Sequence, residues 1–172
     1  ASAMTIALKT LAGADPSGGD PVRIAFRSST LATGNYVVRT ITSALSIVIP
    51  SGATMGQSSG VAQWLQIYFL DNAGTVELMV TGTPINTEDR ITTTIMNTSS
   101  DLNTVPYSTT ARTNVAARFA GKALNQQATA GTWATNSSQI NLDNKDKKVR
   151  TYTFTDVASA TSQSAMVEDQ RY

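Results

Sequence analysis

The sequence predicts an all-β protein, and three observations support this class. Residues 61–82 hold two strand-like runs joined by a polar turn. Further runs of strand length recur at intervals of about 8–12 residues, with turn-forming residues between them. The chain also has 17 serines and 26 threonines, residues that favour turns and strands respectively. We expect a single antiparallel sandwich or barrel-like domain, with a short N-terminal helical arm and an extended C-terminal arm.

The central hairpin carries the clearest pattern. In Trp64–Leu70, large apolar residues occupy both alternating faces, as in a strand that is buried on both sides. Asp71–Thr75 is a polar turn cluster in which Gly74 can take a positive φ. Val76–Thr81 then alternates again between apolar and polar residues. The two runs predict a β-hairpin at the centre of the domain.

The N-terminal segment shows helical spacing. Met4, Leu8 and Leu11 stand at i, i+4 and i+7, which predicts an amphipathic helix of about three turns that needs a surface to lie on. Residues 13–21 (GADPSGGDP) have the composition of a linker. Residues 1–21 are therefore predicted to form an arm and linker.

The β domain is predicted to span residues 22–142. The segment 111–124 also places residues at helical spacing, but its neighbours favour a strand. Besides the hairpin, the predicted strands are Val22–Arg27, Tyr36–Ile41, Leu45–Ile49, Ile91–Met96, Val105–Thr110, Val115–Ala123 and Gln139–Leu142.

A C-terminal extension is predicted over residues 143–172. The charge cluster Asp143–Lys148 marks its start, and Val149–Val157 alternates as a strand outside the main domain would. Residues 158–172 are polar and have no core of their own. The apolar and aromatic residues of both arms are the predicted assembly contacts: Met4, Leu8, Leu11, Tyr152, Phe154 and Tyr172.

Composition excludes several kinds of chemistry. The chain has no cysteine and no histidine, which removes thiolate catalysis, zinc–thiolate sites and imidazole bases. A net charge of +1 gives no basic footprint for nucleic acid. No apolar run approaches the ~18 residues of a membrane span, and the N-terminus does not resemble a signal peptide. We expect no cofactor, no bound metal, no nucleic-acid partner and no membrane partner.

Two motifs suggest catalysis only weakly. Gly56–Gly60 has the G-x-S-x-G spacing of a nucleophile elbow, but no histidine can take the proton and a strand follows the motif, so a flexible loop is the better interpretation. A glycan hydrolase needs two carboxyl groups ~5–9 Å apart. The candidates are Asp71, Glu77, Glu88 and Asp89, for which solvated surface charge is the simpler explanation. The sequence therefore predicts no catalytic residue.

Five aromatic residues raise the alternative of a sugar-binding surface. Trp64, Trp133, Tyr36, Tyr68 and Tyr107 could form a platform on which a sugar stacks. Packing in the core is the stronger expectation, above all for Trp64. Trp133 has small and polar neighbours in the sequence, and it is the only one of the five whose neighbours indicate an exposed position.

Several segments, taken in order, resemble a family of β-rich domains in structural proteins of tailed bacteriophages, both tail-fibre-like and other minor virion proteins. The likeness covers about 70% of the chain, carries no catalytic motif and implies membership of a virion. The matching segments are Asp20–Arg27, Ile41–Ser46, Pro50–Thr54, Asp71–Leu78, Tyr107–Arg112 and Ala128–Thr135.

Three alternative functions are consistent with membership of a virion. The first is a capsid decoration, cement or head-fibre protein that binds other virion proteins through its terminal arms, which order on neighbouring subunits. The second is a tail-fibre or tail-associated adhesion module that binds host glycans. The third, and weakest, is a virion glycan hydrolase. The family setting predicts a homotrimer located in the virion.

Overall fold

The computed structural model describes residues 2–27, 36–86, 90–133, 151–156 and 162–165 of the chain. Eleven strands and no helix occur in these ranges, so this part of the protein is strand-rich and consistent with an all-β class. The strands are β1 (Met4–Lys9), β2 (Val22–Arg27), β3 (Tyr36–Ile41), β4 (Leu45–Ile49), β5 (Ala62–Asn72), β6 (Thr75–Thr81), β7 (Thr94–Ile95), β8 (Tyr107–Ser108), β9 (Ala116–Gln126), β10 (Thr151–Asp156) and β11 (Ser162–Ala165).

The described strands form three open sheets. The largest has five strands in the order β7-β8-β6-β5-β9. A four-stranded sheet has the order β11-β10-β1-β4, and β2 and β3 form a separate two-stranded ribbon. No sheet closes on itself, so the described strands do not form a barrel. All pairs are antiparallel except the two-residue pair of β7 and β8, which corrects the expectation of a purely antiparallel domain.

The main core lies between one face of the five-stranded sheet and the two smaller sheets. Residues of β1 to β4 meet residues of β5, β6, β8 and β9 in one buried cluster. Its fully buried large side chains include Phe26 of β2, Ile47 of β4, and Ile67 and Phe69 of β5. This cluster includes Ile6 and Leu8 of β1, so residues 4–9 pack with the domain.

The central hairpin is confirmed, and β5 is buried on both faces. Tyr68 and Leu70 belong to a second buried cluster on the opposite face of the sheet, together with Met79, Ile91 and Val115. The strands extend further into the turn than predicted, so that only Ala73 and Gly74 lie between them. Both have positive φ, 49° and 104°, as a two-residue turn that follows the twist of the hairpin requires.

The prediction of an N-terminal helix is wrong, because residues 4–9 form the strand β1. Its even positions point into the core: Ile6 is 0% exposed and Leu8 1% exposed. Pairing with β4 on one side and β10 on the other satisfies the backbone, whereas a short helix is marginal in water. Leu11, which completed the helical pattern, lies beyond the strand and is 72% exposed.

The bounds predicted for the other strands agree with the structure to different degrees. β2, β3 and β4 begin and end as predicted, and β9 confirms the strand in the ambiguous segment 111–124. The predicted strands 91–96 and 105–110 shrink to the two-residue β7 and β8. The predicted strand Gln139–Leu142 lies outside the described residues, as does Tyr172.

The predicted C-terminal strand, 149–157, is present as β10. It pairs with β1 along six register positions, from Met4↔Asp156 to Lys9↔Thr151. β11 pairs with its other side and ends the sheet. The strand was expected to stand apart from the main domain, but its backbone joins the sheet that β1 anchors in the core.

Candidate assembly site

Strands from the N-terminal and C-terminal parts of the chain meet in one sheet, and β1 is the strand that joins them. β1 pairs with β4 from Met4↔Ile49 to Leu8↔Leu45. On its other side, Leu8 is the register partner of Tyr152 and Ile6 that of Phe154. The predicted contact residues Leu8, Tyr152 and Phe154 are thus brought to neighbouring positions of one sheet.

The structure separates the remaining predicted contact residues. Met4 is half-buried and packs against the main core. Leu8 is buried, so its side chain is not available to a neighbouring subunit in this fold. Leu11 is the one of the three N-terminal residues that is largely exposed. Tyr172 lies beyond the described residues.

The start of β1 is tied to the far end of the domain. The backbone N–H of Trp133 donates to the carbonyl oxygen of Ser2 at 3.2 Å, and the Ser2 hydroxyl donates to the Trp133 carbonyl at 2.5 Å. Trp133 itself is 2% exposed, and its indole N–H donates to the carbonyl of Ala53 at 2.9 Å. The described domain therefore ends next to the position at which it begins.

Each of the three sheets ends in strands whose outer edge has no described partner, and two of these edge strands, β9 and β4, differ in chemistry. β9 is long, but it carries Arg118 and Lys122 and a register shift opposite Ile67 and Tyr68, features that discourage pairing with another strand. β4 has no charged residue, no glycine and no proline within Leu45–Ile49. Val48 on this strand is 48% exposed. The β4 edge is therefore the better template for an added strand.

The ribbon of β2 and β3 presents a second exposed surface. Tyr36 and Val38 on β3 are 65% and 48% exposed, and their register partners are Arg27 and Ala25. Arg39 faces the other way and donates two hydrogen bonds of 3.0 Å to the carboxylate of Asp71. This bidentate pair fixes the ribbon to the turn of the central hairpin.

The described catalytic candidates are held in ion pairs. Asp71 accepts from Arg39, and Glu77 accepts from Arg112 at 2.8 and 2.5 Å. The hydrogen bonds from Arg112, with partial burial opposing them and Asn72 assisting, lower the pKa of Glu77. A lowered pKa is the opposite of what a general acid needs near neutral pH. Glu88 and Asp89 lie outside the described residues.

The Gly56–Gly60 motif belongs to a structural loop. The Gln57 side chain is buried, and its amide donates to the carbonyl oxygens of Val61 and Asn125 at 3.0 and 2.6 Å. The Ser59 hydroxyl accepts from the backbone N–H of Ala130 at 3.0 Å. The loop leads into a strand rather than a helix, so it lacks the geometry of a nucleophile elbow.

The aromatic residues do not form one platform. Tyr68, Tyr107 and Trp133 are buried, which confirms core packing for these three. Trp64, the residue most expected in the core, is only half-buried, and the Lys122 ammonium lies 4.5 Å from its ring centroid. Burial also raises the pKa of Tyr68, whose hydroxyl oxygen accepts a hydrogen bond from the backbone N–H of Ile85. Only Tyr36 is largely exposed among the five.

The part of the chain that the structure describes contains neither a cluster of metal-binding side chains nor a membrane-spanning helix. The described residues hold no cluster of three or more acidic side chains with the geometry of a metal site. None of their elements is a helix long and apolar enough to cross a bilayer.

The residue that sequence reasoning missed is Ile6. The helical spacing of Met4 and Leu8 left Ile6 unexplained, yet the three together have the two-residue period of a strand. The β-branched Thr5 and Ile6 also favour a strand. These two signals could have identified β1, although not its two partners.

Comparisons with protein-family models, with curated proteins and with solved structures found no match for this chain. The resemblance to bacteriophage structural proteins therefore remains a prediction from the sequence.

Proposed function

We propose that this chain is a structural protein of a bacteriophage virion, a capsid decoration, cement or head-fibre protein that binds the particle through its terminal segments. The observation that carries the proposal is that strands from the N-terminal and C-terminal parts of the chain lie in one sheet, whose β4 edge has no described partner and can accept a strand of a neighbouring virion protein. Backbone hydrogen bonds of this kind give affinity to an added strand without demanding a particular ligand. The resemblance of the sequence supplies the virion setting.

The open edges and exposed apolar side chains support an assembly role. The β4 edge is uncharged, and Val48, Val38 and Tyr36 expose apolar surface on two sheets. Exposed apolar groups and unpaired edges are costly in an isolated protein and useful where subunits meet. We further propose that the fold is a sandwich and that the protein assembles as a homotrimer.

A reattachment assay tests the proposal. Purified chain is added to particles from which it has been removed or omitted, and bound protein is measured after sedimentation. Deleting residues 158–172 removes β11 but retains β1 and β10, so we expect a folded protein that binds the particle more weakly. Loss of folding in this variant, or undiminished attachment, would contradict the assignment.

The alternative function is a tail-associated module that binds host glycans. The exposed Tyr36 beside Arg27 on the ribbon is the observation that favours it, because sugars stack on exposed aromatic rings. This alternative would be supported if the protein binds host cells and Tyr36→Ala abolishes the binding.

An enzyme would be supported instead if the protein hydrolyses host polysaccharide and Glu77→Gln or Glu88→Gln abolishes the hydrolysis.

A further inference from the structure

The β10–β11 hairpin is joined to the domain by a single strand. Among the described strands, β10 pairs only with β1 and β11, and β11 pairs only with β10. The backbone attachment of the hairpin to the other described strands is therefore the row of six register positions along β1. An element held by one edge can leave and return without disturbing the rest of the fold.

The acceptor strand does not depend on this hairpin for its position. β1 keeps its pairing with β4, and Ile6 and Leu8 are buried against the main core with Ile47. The hydrogen bonds between Ser2 and Trp133 hold its start. Without β10, β1 would present an unpaired edge that is ready to accept a strand of the same sequence.

The connection to the hairpin is long enough to reach a second molecule. Trp133 lies at Ser2, whereas Thr151 pairs with Lys9, seven residues or ~23 Å further along β1. Trp133 and Thr151 are separated by 151 − 133 = 18 peptide steps. These steps can span up to ~60 Å, more than twice the distance required within one chain. A β1 strand in an adjacent copy is thus within reach.

We propose that the β10–β11 hairpin exchanges between copies and pairs with β1 of a second molecule when the copies are concentrated. The same register pairs form within one chain or between two, so their free energy is nearly equal in both arrangements. The balance is then set by the concentration of neighbouring copies relative to the effective concentration of the tethered hairpin, on the order of millimolar. An ordered shell holds copies close together and favours exchange.

This inference deepens the proposed function by naming the partner of the terminal strand, a second copy of the same chain. Its test needs only the purified protein. Failure of the exchange would leave attachment to a virion open, and failure of the virion assignment would leave the exchange intact.

Disulfide trapping distinguishes the two arrangements, because this chain contains no cysteine. Thr5 and Thr155 are register partners. Thr5→Cys is placed in a tagged chain and Thr155→Cys in an untagged chain, and both are mixed in denaturant, refolded at high concentration and oxidised. We expect a disulfide between a tagged and an untagged chain. Its yield should be roughly tenfold above that of an out-of-register control and should increase with protein concentration. The control combines Thr5→Cys with Thr151→Cys, whose positions are four residues or ~13 Å out of register.

The double variant Thr5→Cys/Thr155→Cys completes the test. An intrachain disulfide in this variant, with no tagged–untagged pair in the mixture, would overturn the exchange. A failure to form either disulfide would overturn the pairing of β1 with β10 on which the inference rests. Lys9→Cys with Thr151→Cys, a second register pair at the other end of β1, repeats the test if the first variants do not fold.

Discussion

At the scale of single residues, polar side chains hold the turns and loops to the sheets. Arg112 bridges to Glu77 on β6, and Arg39 bridges the ribbon to Asp71. Both pairs are bidentate and partly shielded from solvent, so their geometry is better defined than that of the exposed pair Lys9–Asp15. Through these pairs the two carboxylates connect the ribbon and the loop of Arg112 to the central hairpin.

The Glu77–Arg112 pair predicts an acid-sensitive contribution to stability. Because the folded-state pKa of Glu77 lies below its ordinary value, the carboxylate binds protons less readily in the folded protein. Its contribution is complete above the unfolded pKa and is lost as the pH falls through the folded pKa. Glu77→Gln should therefore lower the melting temperature at pH 7 by about 2 °C and have a smaller effect near pH 3.

Asp15→Asn is the matched control for this measurement, because Asp15 forms an ion pair on the exposed surface. Thermal melts followed by circular dichroism should show little change for the control at either pH. An equal loss for Glu77→Gln at pH 7 and pH 3 would show that the ion pair does not stabilise the fold.

Gly82 gives a steric prediction at the same scale. A Cβ atom at this position would lie 2.7 Å from the Asn103 Cβ and 3.0 Å from the Asn103 Cα, and it would also overlap the Gln63 amide. Gly82→Ala should destabilise the protein by about 1–3 kcal/mol. Gly18→Ala, where nothing lies within 4 Å, should be nearly neutral. Urea denaturation of both variants measures the difference, and equal midpoints would contradict this packing.

At the scale of elements, strands were predicted well where the residues fit the two-residue period of a strand and did not also fit helical spacing. β2, β3 and β4 alternate between apolar and polar residues, and their bounds were predicted correctly. β1 was missed because Met4 and Leu8 satisfy both the helical and the strand period, and its partners are distant in the sequence. The predicted strand 91–96 is mostly irregular because Thr93 accepts from the backbone N–H of Arg112 and forms a hydrogen bond with Ser108.

The candidate assembly site could be predicted only in part. Aromatic alternation in residues 149–157 identified β10, but the sequence gives no signal that β10 pairs with β1. The burial of Trp133 and the partial exposure of Trp64 likewise depend on long-range contacts, with Ala53 and Lys122 respectively. Patterns in one segment show which face is apolar, but not which element covers that face.

The strand assignment of residues 4–9 can be tested with two leucines. Leu8→Ala removes a fully buried side chain and should cost about 2–4 kcal/mol. Leu11→Ala, at an exposed position, should change stability by less than about 0.5 kcal/mol. Equilibrium denaturation of both variants gives the comparison. Similar costs for the two would favour a helix whose apolar stripe includes both residues.

At the scale of the whole molecule, the fold is a core closed by its own N-terminal strand, with a C-terminal hairpin added at the edge. Buried side chains of β1 to β6, β8 and β9 fill the described core. In the proposed assembly, the edge of β4, the exposed ribbon and the β10–β11 hairpin are the parts through which copies meet. Together they suit a protein that acts in many copies.

The central claim, that this protein works by assembly, is tested most directly by counting it in purified phage particles with quantitative mass spectrometry. A decoration or cement protein should be present in on the order of hundreds of copies per particle, since weak attachments become effective through multiplicity. About a dozen copies or fewer would place it in the tail. Its absence from the particle would contradict the account.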